Sequence, residues 1–555
     1  MERGDERDPG RGRLRVGVVL DSYDNVSAWI ASIIEDLSGA DFVEIVVRVA
    51  LGAQKEAANG TWRDWLFRKY AAWDERRAVL ERDPLRRADV PAGLAAIPSV
   101  EVPEPGGAEA LRAYNLDVLV WLAPSDPAVA LRTVARSGLW RFRHGTGVRY
   151  GLGADYFDEL SNGIAVSGSS VEVLQGDDAA LVCQTVSSTE RGWSLRQNQA
   201  VPYWRAASSM LRCLRRLHEN QRLPEIEQEA KAQAGASMRL PTNRQMAGFL
   251  LRNVVRTVTR RVRYSSKESY WFVAYRIDRS KFLSQTEEIN LSGFQQIRAP
   301  DGHFYADPFV IEWNARQYLF VEDYLFAEQR GCISVMEIST QGVTSEVTRV
   351  LDLPYHLSYP FVFEHEGGLW MIPETLGAGR IDLYRATNEP TQWEFVKSLQ
   401  EGVQAVDTTV WIENGRFYFF TNIAERGSTV NDELRLFYAD ELLGEWTPHP
   451  QNPICTDVRR SRGAGKLFRR NGKLIRPAQD CSVRYGFACQ FSEVEVLTPT
   501  EYRERPVGRI EPDWYPGLIG THTVNSNDAV EVIDGQVYRR RYTRARKTGD
   551  YVRDK

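Results

Sequence analysis

The chain has 555 residues. That is more than one hydrophobic core accommodates, because single cores stop growing near roughly 250–300 residues, so at least two domains are expected. A composition of 43% hydrophobic, 26% charged and 11% aromatic residues is that of an ordinary folded protein and excludes global disorder, a collagen-like fibre and a coiled-coil rod. With 70 Lys and Arg against 74 Asp and Glu, the net charge of −4 leaves no positive excess to hold a phosphate backbone, which argues against nucleic acid as a partner.

The opening MERGDERDPGRGR is charged and Gly-rich, reads as a disordered leader over 1–13, and carries no apolar core like a signal peptide's. No stretch approaches the roughly 20 consecutive apolar residues that a spanning helix needs. The expected location is therefore the cytoplasm, including the inner face of its membrane. From Leu14 to Leu20 an apolar run of strand length is followed by polar residues and an apolar-periodic stretch near Val26 to Leu37, which reads as strand, loop, helix. Two further apolar runs, Phe42–Leu51 and Leu116–Leu122, flank a helix carrying Trp62, Trp65, Phe67, Tyr70 and Trp73. Continuous apolar strands alternating with helices predict a parallel sheet covered on both faces, hence an α/β domain over 14–220.

From 221 to 265 the text becomes helix-forming and charge-rich, a helical connector. Its second half, 244–263, sets Phe249, Leu250, Val254, Val255 and Val258 among Arg252, Arg256, Arg260, Arg261 and Arg263. Such a basic amphipathic helix suits either weak peripheral contact with an anionic membrane or, the commoner arrangement, packing on its own protein with a solvated basic face.

From 266 to 545 the pattern is β, with short runs of Val, Phe, Tyr, Trp and Thr broken by Gly, Asn and Asp, and 546–555 is a tail. An internal repeat is countable: ADPFVIEWNARQYLFVED, SYPFVFEHEGGLWMIPET and VDTTVWIENGRFYFFTNI align without gaps from Asp307, Tyr359 and Asp407. Eleven residues after each comes an aromatic (Tyr318, Trp370, Tyr418), and fifteen after each a polar residue (Glu322, Glu374, Asn422). The series continues from Ala464 to Gln479, and VNSNDAVEVIDGQVYRRRY is a weaker last copy. Repeats of about 50 residues with hairpin turns, here assigned to Asn414-Gly415, Asn471-Gly472 and Asp534-Gly535, are what propeller blades produce, and five copies predict a five-bladed β-propeller.

The shared first positions should then face one another across the central funnel, so that Asp307 and Asp407, 100 residues apart, join one site with Glu374. One protonated and one ionised carboxyl group flanking a sugar suit glycosidic chemistry. Glu322, Tyr359, Arg476, Gln479, Asp480 and His522 are further lining candidates, offering donors and acceptors for hydroxyls, carboxylates or phosphate. The competing structural reading makes the carboxylates blade-start residues that only bond backbone N–H groups. In the first domain His144 and Asp178 form a candidate acid–base pair of low specificity. Six scattered cysteines without Cys-x-x-Cys or neighbouring His predict reduced structural thiols and no metal site.

The segment GLWRFRHGTGVRYG…ADYFDELSNGIAVSGSSVEVLQGDDAALVCQTV resembles the catalytic half of formyltransferases that use 10-formyltetrahydrofolate, among them those acting on sugar nucleotides. His144 and Asp178 match that family's His and Asp, and the resemblance implies a Rossmann-like scaffold and 10-formyltetrahydrofolate as cofactor. The family's Asn, however, is Phe142 here, its Ser-Leu-Leu-Pro is absent, and the Gly after its Asp is Ala180. Losing a donor at a developing oxyanion costs on the order of 10²–10³ in rate.

ADPFV with FVED, SYPFVFEHEGGLWMIPET, VDTTVW, RPAQD with YG, and GTHTVN together resemble the N-terminal domain of glucosamine inositolphosphorylceramide transferases and their bacterial relatives. They resemble more distantly the five-bladed glycoside hydrolases of arabinofuranosidase, xylosidase and levanase type. In those hydrolases a first-blade Asp is general base and a Glu is acid, which implies these roles for Asp307 and Glu374, although Tyr359 stands where the second blade would offer Asp.

The leading expectation is a carbohydrate-active transferase of glycan or cell-envelope polysaccharide assembly, its first domain taking a sugar nucleotide and its propeller a saccharide or glycolipid. A glycoside hydrolase and a non-catalytic carbohydrate-binding scaffold are the alternatives.

Overall fold

The computed structural model describes residues 12–23, 25–51, 62–101, 107–145, 153–189, 192–220, 240–339, 342–343 and 345–540. The expected leader (but for its last two residues), the connector over 221–239 and the terminal tail lie outside them. The chain divides into two compact units, 1–254 with 425–429 and 255–424 with 430–555. The division falls inside the connector helix.

The first unit is built on a seven-stranded sheet. In chain order its sheet strands and longer helices are β1 (Leu14–Leu20), α1 (Ala28–Gly39), β2 (Val43–Ala50), α2 (Trp65–Arg77), β3 (Ser99–Glu101), β4 (Val118–Trp121), β5 (Leu139–His144), β6 (Val166–Gln175), β7 (Asp178–Ser188) and α3 (Leu195–Asn220). The sheet order is β3-β2-β1-β4-β5-β6-β7. Its first five strands are parallel, and β6 and β7 add an antiparallel hairpin at one edge.

The run LRVGVVL is apolar throughout because both its faces are covered. Val16, Val18 and Leu20 pack with Ile33, Ile34 and Leu37 of α1 and Met210 and Leu214 of α3. Val19 turns to the other face, with Val47, Val49, Leu119 and Leu131. Helix α3 begins at Leu195, earlier than the charge-rich text suggested, and carries Pro202 in its first turns.

The second unit is a five-bladed propeller, each blade a sheet of four or five short strands. Blades 1 to 3 start with the innermost strands His303–Trp313, Ser358–His365 and Ala405–Glu413. In blade 4 the innermost strand is interrupted, running as Arg462–Gly463 and Phe468–Arg470. Blade 5 is assembled from both ends of the unit: Glu531–Arg540 pairs antiparallel with Lys267–Arg276, from Lys267 opposite Arg540 to Arg276 opposite Glu531. Joining first and last strands closes the ring and removes the exposed edge that invites aggregation. The join is locked by a buried pair in which Arg276 Nε donates to Glu531 Oε2 at 2.7 Å while the Leu283 N–H donates to Oε1 at 2.7 Å.

Two of the three expected hairpin turns form. Asn414-Gly415 and Asn471-Gly472 take positive φ of 52° and 77° and of 51° and 77°, as a tight primed turn requires. Asp534-Gly535 is a correction, since both residues lie inside the strand Glu531–Arg540. Gly535 is needed there for space: a Cβ would sit 2.6 Å from Leu518 Cδ2 and 2.9 Å from Phe272 Cζ. The turn of that hairpin is made by Asn527, whose Oδ1 accepts the N–H groups of Ala529 and Val530.

Candidate functional site

The start of each innermost strand is bent in the same way in blades 1 to 3. Asp307, Tyr359 and Asp407 have φ of 47°, 44° and 51°, and strand pairing slips after Ala306, Ser358 and Val406. This bulge re-aims the side chain at the strand's inner end. Tyr359 adopts the bend as well as the two Asp residues do, so the backbone alone does not call for a carboxylate at 307 and 407.

Two hydrogen-bonded groups result. Around blades 5, 1 and 2, Asp307 accepts the Thr523 hydroxyl at 2.6 Å and the Tyr359 N–H at 3.2 Å, and its own N–H donates to Asp534 Oδ2 at 3.2 Å. Asp534 also accepts the N–H groups of His522 and Thr523 at 2.8 and 3.0 Å, and His522 Nδ1 lies 2.5 Å from its Oδ2. The His522 ring is stacked on Trp271 with centroids 3.8 Å apart.

Around blades 2, 3 and 4, Arg462 is the hub. Its Nε donates to Asp407 Oδ2 at 2.6 Å, Nη1 to Asn431 Oδ1 at 3.0 Å and Nη2 to Glu374 Oε2 at 3.3 Å, and the guanidinium lies over the Tyr485 ring at 4.7 Å. Gln479 Nε2 adds a bond to Asp407 at 3.0 Å.

Five carboxyl groups, Asp307, Glu322, Glu374, Asp407 and Asp534, are thus buried together. Burial and the charges of Asp407 and Asp534 push Asp307 up to about 6, against the opposing pull of His522. Glu322 is held well above the usual carboxylate range by burial and then by Asp307 and Glu374. Glu374 is likewise raised, by burial and Asp407, with Arg462 opposing. Burial pulls His522 down, but Asp534 and Asp307 outweigh it and raise its pKa. The arrangement can therefore present protonated carboxyl groups as donors beside ionised ones as acceptors, which is what polyhydroxylated ligands and acid–base chemistry use.

One atom each of Asp307, His522 and Asp534 lie within 4.8 Å of one another, a spacing that could close on a cation. Within that group His522 Nδ1 faces Asp534 Oδ2 at 2.5 Å and Asp307 Oδ1 at 3.7 Å.

Of the expected site residues, Asp307, Asp407, Glu374, Glu322, Gln479 and His522 come together. Tyr359 contributes its N–H, but its hydroxyl is directed sideways, meeting Thr409 Oγ1 at 2.8 Å and accepting the Gly465 N–H at 2.9 Å. Arg476 and Asp480 need correction. Arg476 forms a two-pronged pair with Glu504 at 2.8 Å on each arm and also reaches the Arg460 carbonyl. Asp480 is engaged by Arg509 and the Ser482 N–H. Both are blade-4 structure.

Arg462 and Asp534 were missed. Gapless alignment placed Ala464 at the shared position, whereas Gln479 pairs with Arg462, one residue out of step with Ala306–Glu322 and Ser358–Glu374. Asp534 was hidden by its resemblance to a turn.

In the α/β unit His144 and Asp178 are not brought together. His144 ends β5 opposite Ser169, which faces Thr185, while Asp178 starts β7 opposite Gln175. Seven residues of strand separate the two rows, roughly 20 Å at about 3.3 Å per residue. His144 Nδ1 instead lies 2.9 Å from the Tyr156 hydroxyl and 3.3 Å from Ser169 Oγ. Its ring is stacked near Phe142 and lies 4.5 Å from that of Tyr203. These rings, with Trp29, Ser125, Arg141 and Asp155, line a pocket of about 180 Å³ at the carboxyl ends of β4 and β5. The described residues do not assemble the His–Asp pair that formyl transfer from 10-formyltetrahydrofolate would need. All six cysteines are free thiols.

Fold and funnel together define a five-bladed propeller with a buried, carboxylate-rich site on its axis. Residues 293–511 match the family described as glucosamine inositolphosphorylceramide transferase 1, N-terminal. The chain is 36% identical over 209 residues to glucosamine inositolphosphorylceramide transferase 1 of Oryza sativa subsp. japonica, covering 37% of this chain and 28% of the relative. It is 35% identical over 206 residues to the Arabidopsis thaliana protein of that name, covering 36% and 27%. The chain thus matches less than a third of the length of these relatives. Among solved structures it is similar to the catalytic domain of the Coprinopsis cinerea GH62 α-L-arabinofuranosidase, at 11% identity and a TM-score of 0.32 over 42% of this chain and 90% of that one. It is also similar to RS223 β-xylosidase, at 13% identity and a TM-score of 0.31 over 42% and 92%.

Proposed function

We propose that this chain is a carbohydrate-active transferase of glycan or cell-envelope polysaccharide assembly, with the propeller funnel as its saccharide site. The observation that carries this reading is the set of five buried carboxyl groups served by one guanidinium, Arg462, and one imidazole, His522. Clustered like charges are costly to bury, and the bend at the strand starts is achieved without them at Tyr359. The likeness to proteins named as transferases acting on an inositolphosphorylceramide supports a sugar, free or lipid-borne, as the substrate class.

In this reading Glu374, its pKa raised by burial and Asp407, is the acid and Asp307 the base, with Arg462 bonded to Asp407 beside them. The pocket of the α/β unit takes the sugar-nucleotide donor: it lies outside the carboxyl ends of parallel strands, next to where the strand order reverses, and Trp29 and Tyr203 offer flat faces. Hydrolysis is the second reading, favoured by the same raised pKa of Glu374 and by Asp307 in one funnel.

The full chain incubated with sugar nucleotides and a panel of oligosaccharide and glycolipid acceptors is expected to give an elongated acceptor by mass spectrometry. Release of monosaccharide without a new linkage would select hydrolysis. Failure to retain or alter any saccharide would overturn both.

A further inference from the structure

The connector helix, α4 (Asn243–Tyr264), wears its apolar stripe on the outside. Successive helical residues are set about 100° apart. On that wheel the buried Met246, Phe249 and Asn253 share one side, while Leu251, Val254, Val255, Val258 and Val262 fall in a single sector about 100° wide on the opposite side. The stripe is open to solvent: Leu251 is 65% exposed, Val258 56% and Val262 79%. A helix that only packs on its own protein turns such residues inward.

Charge indicates what covers the stripe. The helix carries six arginines and no acidic residue. Arg261 flanks the stripe on one side and Arg263 on the other, where long side chains can lay their stems along an apolar surface and keep their heads in water. This combination fits a surface that is apolar below and anionic above. Among the described residues no helix is long and apolar enough to cross a membrane, so the contact is one of lying on it.

We propose that α4 is an interfacial helix that seats this chain on an anionic lipid bilayer, with Leu251, Val258 and Val262 entering the headgroup–acyl boundary and Arg260, Arg261 and Arg263 pairing with lipid phosphates. The proposal rests on the helix alone and is independent of what the funnel binds.

The test is co-sedimentation of the full chain with vesicles of phosphatidylcholine alone or mixed equally with phosphatidylglycerol. Binding to the anionic vesicles is expected to exceed binding to the neutral ones at least tenfold. It should weaken steeply with added salt as the screening length shrinks from about 10 Å at 0.1 M. The double variant Val258→Ser, Val262→Ser, altered only at exposed positions, is expected to lose about tenfold in vesicle affinity with an unchanged melting curve. Replacing Arg260, Arg261 and Arg263 by Gln should remove the preference for anionic vesicles. Equal vesicle binding by wild type and the double Ser variant would overturn the proposal. So would absence of vesicle binding, including a result in which wild type self-associates in sedimentation velocity and the double Ser variant does not, which would assign the stripe to a second copy of the chain.

Discussion

Replacing Arg462 by Met is expected to cost the propeller about 3–5 kcal/mol, because it strands buried charge: removing one partner of a buried ion pair leaves the other uncompensated. Arg462 bonds Asp407, Glu374 and Asn431, which belong to blades 2 and 3, from its own place in blade 4. Its loss therefore loosens three blades at once. At about 2–4 °C per kcal/mol for a domain of this size class, the melting temperature should fall by roughly 10 °C. Arg462→Lys should recover only part of the loss, since a single ammonium cannot serve three directions as a guanidinium does. Adding Asp407→Leu to Arg462→Met should restore stability toward wild type by removing the stranded charge. If Arg462→Met melts within a degree of wild type, the hub assignment is wrong.

Asp307→Asn is expected to reduce sugar-dependent turnover on the order of 10²–10⁴-fold, the usual share of a general base, while leaving the fold intact. Asn keeps the shape and can still accept from Thr523 or Tyr359, the two groups that Asp307 ties together. The effect on stability has a defined sign. The pKa of Asp307 is raised in the folded protein to about 6 from an ordinary 3.8. The stability it contributes is therefore fully present below about pH 4 and is lost as pH rises through about 6. The variant, which has no such proton to lose, should come nearest to wild type below about pH 4 and melt higher than wild type at pH 8. A variant that unfolds at both pH values, or one that folds and turns over sugar at the wild-type rate, would make Asp307 a structural blade-start residue.

Why these groups were only partly legible beforehand follows from how each is positioned. The strand Leu14–Leu20, the blade repeat and the turns at Asn414 and Asn471 are written locally, in apolar periodicity and in residues that tolerate positive φ. The repeat also fixed that Asp307 and Asp407 occupy equivalent positions, and closing the ring converts equivalence into proximity. Those features the sequence determined by itself, because each depends on neighbours a few residues away or on a pattern that recurs.

Which direction a polar side chain takes at an equivalent position was decided by tertiary structure alone. Tyr359 stands in register with Asp307 and Asp407, yet its hydroxyl is claimed by Thr409 and Gly465 from the next two blades. Arg476 and Gln479 share one strand, but Glu504 takes the first and Asp407 the second. Arg462 is separated from Asp407 by 55 positions and from Glu374 by 88, and Asp534 from Asp307 by 227. His144 and Asp178, close in the text, are carried to opposite ends of one antiparallel ladder by the hairpin between β6 and β7. A buried charge settles on whichever partner the packed backbone brings within about 3 Å, since leaving it unpaired costs several kcal/mol, and no spacing along the chain encodes that partner.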